Sequence, residues 1–456
     1  MKQTPRWVWA ALLAVTACKT TQTNGGGGED ADIAIPHEKY MLDNGLEVIL
    51  HQDNRLPLVA VSIWYHVGAI DEVKGRSGFA HLFEHMMFQA SPHVGEDQFF
   101  KILEQIGGTS INGTTNYDRT NYFETVPSHE LETVLWMESD RMGFLLSSLT
   151  KKALDVQIGV VQNERRQSVE NREYGLMNEA LTKALYPEPH PYNGVVIGSM
   201  EDIAAATLDD VRDFFRTYYT PANATLTIAG DFETAEAKAL VTKYFGSLKG
   251  KAKPPRRDIP APPVKAQRIE FEEPVAKLPK ISIAWRGPSS FEDDTAALDL
   301  LSHVISGTRS SRLDKRVSHD EQIAQSVTAY FQEHASGGVF EIDLVTRPDR
   351  TLAEAEAAIE EVLADLVKNP PTEEELKRAK NSQLTQIVRG LEQLGGFGGR
   401  AERLQVYNHY LGDPSRVAWD LERFAKVTVA DLVRVQKKYL TDQRITILAT
   451  PKGATE

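Results

Sequence analysis

Cysteine is nearly absent: the chain of 456 residues has one, Cys18. No disulfide can brace the fold from within, and no cysteine cluster can hold a metal. An excess of positive charge is also missing. The formal net charge is −13, and a phosphate backbone needs a basic face, which argues against nucleic acid as a partner. Beyond the first residues no apolar run is long enough to span a bilayer. Apolar residues make up 41% and charged residues 25%, the balance of a globular body. The length exceeds one ordinary core and predicts about two or three domains.

The lone cysteine gains meaning from its place. Lys2 and Arg6 form a basic start, and Trp7 to Ala17 is an apolar run ending in small residues. This pattern is a signal peptide, too short for a stable membrane helix. Val15-Thr16-Ala17-Cys18 resembles the bacterial lipobox, in which the cysteine becomes the lipid-bearing first residue of the mature chain. An Asp after that cysteine favours inner-membrane retention, and here Lys19 stands instead. The expected location is the bacterial cell envelope, with a lipid anchor in the outer membrane on the periplasmic side. The organisation expected is a signal peptide over 1–17, a tether over 18–34 containing Gly25 to Gly28, a folded domain over 35–248, a Pro- and Lys-rich linker over 249–267 and a second domain over 268–456.

The two domains read as copies. Thr207 to Val211 leads through Tyr218 and Thr220 to the apolar run Ala224 to Ala229; Thr428 to Leu432 leads through Tyr439 and Thr441 to Ile445 to Ala449. One offset, 221 residues, relates them throughout. In the first copy, Leu46 to Leu50 and Val59 to Val67 read as strands, and Ser110 to Val126 as two more. Gly78 to Met87, Glu96 to Ile106, Ser128 to Leu146, Thr150 to Val169 and Gly175 to Leu185 have helical spacing, with Ser128 as an N-cap. Strands and helices without strict βαβ alternation predict an α+β fold of two homologous layered domains with antiparallel sheets.

The strongest chemical signal is His81-Leu82-Phe83-Glu84-His85. Histidines four apart share a helix face about 6 Å apart, a spacing that suits one metal ion. Glu84 reaches the same face, where it can take a proton from water. This is the inverted order of the commoner zinc helix. Phe83, Met86, Met87 and Phe88 make the helix apolar and buried, so its polar side chains need partners and a metal supplies them. Two core histidines bonded to backbone are the competing reading. Catalytic zinc needs a third protein ligand, and the polar spot Gln162 to Arg166 on the otherwise apolar helix from Val160 offers a candidate region.

Taken together, Gly78 to His85, Asn112 to Asp118, Thr120 to Tyr122, Asn163 to Arg166 and Pro221 to Ala224 resemble the pitrilysin-type zinc peptidases, a family that includes insulysin-like enzymes and mitochondrial processing peptidase. The resemblance implies half of a clam-shell peptidase, similar to the processing peptidase β subunit. It implies Zn2+ on His81, His85 and Glu164, with Glu84 as the catalytic base. It also implies that an extended peptide adds to an edge strand spanning Thr109 to Thr115, with Asn112 holding a carbonyl and Gly113 beside it. Where the family usually carries a second glutamate, this sequence has Gln157. Glu170 and Glu173 read as solvated acids, and His66, His93 and His190 as structural or exposed.

The second copy has no such ligand set. At the repeat offset His81, Glu84, His85 and Glu164 map to Ser302, Ile305, Ser306 and Thr385. The family's second domain supplies an Arg and a Tyr that polarise the scissile carbonyl. In Val317 to Val327 those two places hold Ser318 and Gln325. The expectation is a zinc metalloendopeptidase subunit acting on short or unfolded polypeptides as a heterodimer, with a homologous subunit supplying Arg and Tyr. A non-catalytic peptide-binding or assembly scaffold of the same fold is the alternative. Gly395 to Gly399 reads as a mobile loop, since nothing around it completes a phosphate cradle.

Overall fold

The computed structural model describes residues 33–453; the signal peptide and lipobox expected around Cys18 lie outside the described residues. The first half opens with strands β1 (Glu38–Met41), β2 (Glu47–Gln52) and β3 (Leu58–Tyr65) and helices α1 (Phe79–Met86) and α2 (Gln98–Gln105). Strands β4 (Thr109–Thr115) and β5 (Thr120–Pro127) follow, then helices α3 (Leu131–Ser148), α4 (Lys151–Arg165) and α5 (Gly175–Leu185). Helices α6 (Met200–Ala204) and α7 (Leu208–Tyr218), strand β6 (Ala224–Gly230) and helix α8 (Thr234–Phe245) complete it.

The second half runs β7 (Gln267–Glu273), β8 (Lys280–Arg286), α9 (Thr295–Ile305), the single turn α10 (Arg312–Asp314), β9 (Ala324–Gln332) and β10 (Val339–Thr346). It ends with helices α11 (Leu352–Lys368), α12 (Glu373–Glu392), α13 (Arg400–Leu411), α14 (Val417–Lys426) and α15 (Val429–Tyr439) and strand β11 (Ile445–Pro451).

Each half builds one sheet, in the order β1-β2-β6-β3-β5-β4 and β7-β11-β8-β10-β9. The pairing repeats as well. β2 with β6 and β7 with β11 are parallel, and every other pair is antiparallel. The fold is α+β with two antiparallel-rich sheets, as the pattern of elements predicts. The bounds of α7 and β6 recur in α15 and β11 221 residues later at every end.

β3 is buried along nearly its whole length because both faces of the first sheet are covered. On one face Val61, Ile63 and Tyr65 pack in one core with Phe83 and Met86 of α1 and Leu135 of α3. The other face is covered by α13, which belongs to the second half. Glu402 accepts hydrogen bonds from Ser62 Oγ (3.3 Å), Trp64 Nε1 (3.2 Å) and Asn121 Nδ2 (2.8 Å). Gln405 Nε2 donates to the carbonyls of Ser62 and Thr225 at 3.1 and 2.8 Å. The exchange is mutual. α5, from the first half, buries Met177, Leu181 and Leu185 against Ala284, Ile445 and Ile447 of the second sheet.

Local geometry departs from expectation in three places. The helix expected from Ser128 opens with a 3-10 turn, Ser128–Glu130, so Ser128 lies inside that turn after Pro127 and makes no side-chain cap. The helix expected over Thr150 to Val169 has Thr150 as its cap but ends at Arg165, where a wider turn, Arg166–Glu170, takes over with Asn171 N bonded to Arg166 O. The glycine loop after α12 does not stand free. Arg400 N and Ala401 N close its neck on Gln393 O and Leu394 O, each at 2.9 Å. A Cβ at Gly395 would lie 2.5 Å from Thr125 Oγ1 and 2.7 Å from Ala60 Cβ, so only glycine lets the loop press onto the first sheet.

Between α8 and β7 the chain has no helix or strand. Arg256 donates to His409 O at 2.9 Å, and Arg257 to Ile70 O at 2.8 Å, so this connection is held along the body.

Candidate metal centre

Helix α1 starts at a glycine for a steric reason. Gly78 has φ 82°, and a Cβ there would meet Ile197 O at 2.3 Å. Glu72 then holds the first turn, accepting from Gly78 N at 3.0 Å and Ala80 N at 2.8 Å. The helix buries Phe79, Leu82, Phe83 and Met86 and turns His81 and His85 toward α4. Their rings stand 4.8 Å apart at 71°.

Glu164, in the last turn of α4, faces both rings. His81 Nε2 lies 3.7 Å from Glu164 Oε1, and His85 Nε2 lies 3.2 Å from Glu164 Oε2. One donor atom from each of the three residues falls within 4.8 Å of the others, and this is the one group of three potential ligands among the described residues. Ligand atoms about 2.0–2.1 Å from a tetrahedral zinc sit roughly 3.4 Å from one another. The two measured separations bracket that value, so the residues fit the ion. Glu164 remains 42% exposed, which leaves one side of the cluster open to water and substrate.

Charge at the site is set by burial. His81 is pushed down to about 4 by burial, with neighbouring His85 next in effect, so it is a neutral imidazole near neutral pH. Burial would lower His85 as well, but the hydrogen bond to Glu164 and the charge of Glu84 outweigh it and raise its pKa. Gln157 acts on His85 in the same direction, a neutral hydrogen-bonding group where the resembled family has an acid. Glu164 is held below the usual carboxylate range chiefly by its bond from His85.

Glu84 is 7% exposed, and burial raises its pKa to about 7 against the opposing bond from Thr115. That bond, Thr115 Oγ1 to Glu84 Oε2, measures 2.5 Å. Thr115 and Glu72 support the site directly but belong to no ligand pattern in the sequence. The Asn112 to Asp118 stretch was the only signal pointing at Thr115.

β4 is the edge strand of the first sheet, as expected. Asn112 is exposed on it, its Oδ1 accepting Gly113 N at 3.0 Å. Gly113 faces the other way, where a Cβ would lie 2.9 Å from the Phe88 ring. His66 is half-buried and partners the buried His409, and His190 is buried. His93 pairs with Asp140 at 2.5 Å. Glu170 is less free than expected, lying 3.4 Å from Arg165. Ser318 sits in the turn after α10, and Gln325 is exposed on β9, the edge strand of the second sheet.

Comparison with known proteins adds the following. Residues 47–193 match the family model described as insulinase (peptidase family M16), and residues 205–383 match the one described as peptidase M16 inactive domain. The second stretch contains none of His81, Glu84, His85 and Glu164. The zinc protease PqqE of Helicobacter pylori is 28% identical over 93% of this chain and 96% of its own length. The uncharacterized zinc protease YmxG of Bacillus subtilis is 25% identical over 78% and 84%. The crystal structure of a protease from Helicobacter pylori covers 92% of this chain and 100% of its own at 27% identity, with a TM-score of 0.85. The first half of the periplasmic protease PqqL from Escherichia coli shares the fold at 20% identity, covering 92% and 93%, with a TM-score of 0.75.

Proposed function

The chain belongs to the insulinase family, peptidase family M16, and on that footing we propose that it is the zinc-bearing subunit of a metalloendopeptidase acting on short or unfolded polypeptides. The observation that carries this reading is the convergence of His81, His85 and Glu164, with their donor atoms within 4.8 Å of one another and Glu84 beside them. Zinc, when bound, supplies a Lewis acid that makes water acidic and polarises a carbonyl.

Every other task falls to the chain. Glu84 takes the proton of the attacking water, in a setting that raises its pKa to about 7, and delivers it to the leaving amine. Thr115 holds the carboxylate in place. The edge of β4 offers main-chain groups to an extended peptide, so backbone more than sequence is recognised there. Asn112 holds a substrate carbonyl.

The donors for the developing oxyanion come from a second, homologous chain, because Ser318 and Gln325 bring neither a cation nor a phenol. Such donors contribute roughly 3 kcal/mol or more, on the order of a hundredfold or more in rate. The same deficit favours a second reading, a peptide-binding scaffold that does not cut. Cys18 carries the lipid anchor that holds the subunit at the outer membrane on the periplasmic side.

The test is to purify the chain alone, measure zinc by mass spectrometry, and assay unfolded peptides with and without an Arg/Tyr-bearing homologue. One zinc per chain, lost in His81→Ala, His85→Ala and Glu164→Ala, and turnover that rises on mixing are expected. Zinc-free protein would overturn the enzyme reading, and full turnover by the isolated chain would overturn the partner. Cys18→Ser should move the protein out of the membrane fraction; unchanged association would refute the anchor.

A further inference from the structure

We propose that Phe397, carried by the second half, is a specificity-determining residue for the peptide bound at β4: it receives apolar side chains that point away from the metal cluster. The inference rests on strand addition at β4 as the mode of binding.

Side chains on a strand alternate between faces. On β4, Gly113 and Thr115 face α1, where Gly113 meets Phe88 and Thr115 meets Glu84. Asn112 and Thr114 therefore face the opposite side, and Thr114 duly bonds Asn121, which in turn bonds Glu402 of α13. Alternation breaks at a bulge between Thr109 and Asn112, and Ser110 is placed on this side by its approach to Gly396. Asn112 pairs with Phe123 across the sheet, so Phe123 lies on this far face too.

Here the glycine loop arrives. Its neck is closed by backbone bonds and Gly395 is pressed on Thr125 and Ala60. A Cβ on Gly396 would stand 3.5 Å from Ser110 Oγ, which places the loop at the edge strand itself. The next residue, Phe397, sets its ring edge-on to Phe123, with centroids 5.2 Å apart at 78°. Phe123 is buried, yet Phe397 is 65% exposed. A large aromatic ring on a loop braced this closely has been left open on one side.

A peptide added outside β4 would lie about 4.8 Å beyond it, and every second side chain would point to this far face. Those side chains come beside Asn112 and Ser110, and Phe397 is the apolar surface waiting there. The metal side of β4 belongs to the reacting carbonyl; the far side can then distinguish an apolar residue from a polar one without touching the chemistry.

The experiment uses the full chain carrying Glu84→Gln and loaded with zinc. The probes are two fluorescein-labelled extended dodecapeptides of Gly, Ser and Thr, identical except for one central Phe or Ser. Anisotropy titration should give about tenfold tighter binding of the Phe peptide. F397A should shrink that preference to about twofold or less through loss of Phe-peptide affinity, with F397L restoring most of it. Zinc content should match the parent in each variant. A preference that survives F397A, or an equal loss for both peptides, would overturn the assignment while leaving strand addition intact. Failure of the parent to bind either peptide would instead remove strand addition, and this assignment with it.

Discussion

The two halves of this chain share strand pairing and most of their element order, and one of them carries a candidate metal centre. In the first half, α1 and α4 bring two imidazoles and a carboxylate within 4.8 Å of one another. In the second, the repeat offset puts Ser302, Ile305, Ser306 and Thr385 at the corresponding positions, and no second group of three ligands forms among the described residues. The backbone that presents a metal site is thus retained where the site is not. The difference teaches that this fold is stabilised by its layered cores, and that four side chains on two helices separate the half with a candidate metal centre from the half without one.

The sharpest way to break the comparison is to change one atom at the first half's site. Glu84→Gln removes the base and keeps the helix, the histidines and Glu164. It should retain one zinc per chain and lower kcat by roughly a thousandfold, within the range general-base catalysis supplies. Peptide hydrolysis and mass spectrometry read the two effects separately; a zinc-free Glu84→Gln protein would assign that residue to the metal instead.

The comparison can be sharpened in the other direction by giving the second half what it lacks. The double substitution Ser318→Arg with Gln325→Tyr, in a copy added to the unmodified chain as its partner, should raise peptide turnover about a hundredfold, the contribution of oxyanion donors. No gain in kcat would show that the deficit lies elsewhere than in those two side chains.

A smaller effect tests how the halves depend on each other. Glu402→Ala leaves Ser62, Trp64 and Asn121 facing an empty acceptor site. An unmet buried donor costs about 1–3 kcal/mol, so the variant should lose roughly 3 kcal/mol in chemical denaturation, with zinc still bound in the folded protein.

A last effect, graded with pH, concerns acid. His409 Nε2 accepts from Arg256 at 3.3 Å, so its Nδ1 donates to His66 Nδ1 at 2.7 Å, and His66 Nε2 donates to Thr225 Oγ1 at 3.1 Å. No nitrogen is free for a further proton. Burial pushes His66 down to about 3 and His409 down as well. Below the ordinary histidine pKa of about 6.5, the unfolded chain binds protons that the folded chain refuses. Stability should be full above that pH and fall as pH drops toward 3, by up to about 1.4 kcal/mol per pH unit for each imidazole. Denaturation midpoints between pH 7 and pH 5 check this, and His66→Asn should flatten the slope.

How much of this was legible depended on sequence distance. α1 could be read from its own residues, because apolar and ligand positions share one helical period and Gly78 marks its start. α7 with β6, and α15 with β11, could be read because the repeat preserves capping residues and strand alternation together. Glu164 needed the family resemblance, since one acid at the end of a helix has no local signature. Glu402 was illegible: it meets Trp64 from 338 residues away, and nothing in α13 announces that its acid will be buried. The brace on the glycine loop was hidden for the same reason, since Gly395 looks flexible until Ala60 and Thr125 are placed beneath it.

The exchange of α5 and α13 has a consequence for where such a chain could have come from. A polypeptide with one copy of the repeat would fold its sheet and cover one face, and the helix in the place of α5 or α13 would have no sheet of its own to lie on. It would also leave bare the face that the other copy's helix now occupies. Such a molecule would be stable only as a pair, each copy lending a helix to its twin. Joining two copies end to end would turn that dimer into a single chain. From then on only one of the two needed to keep its ligands, because the other was retained for the helix it lends.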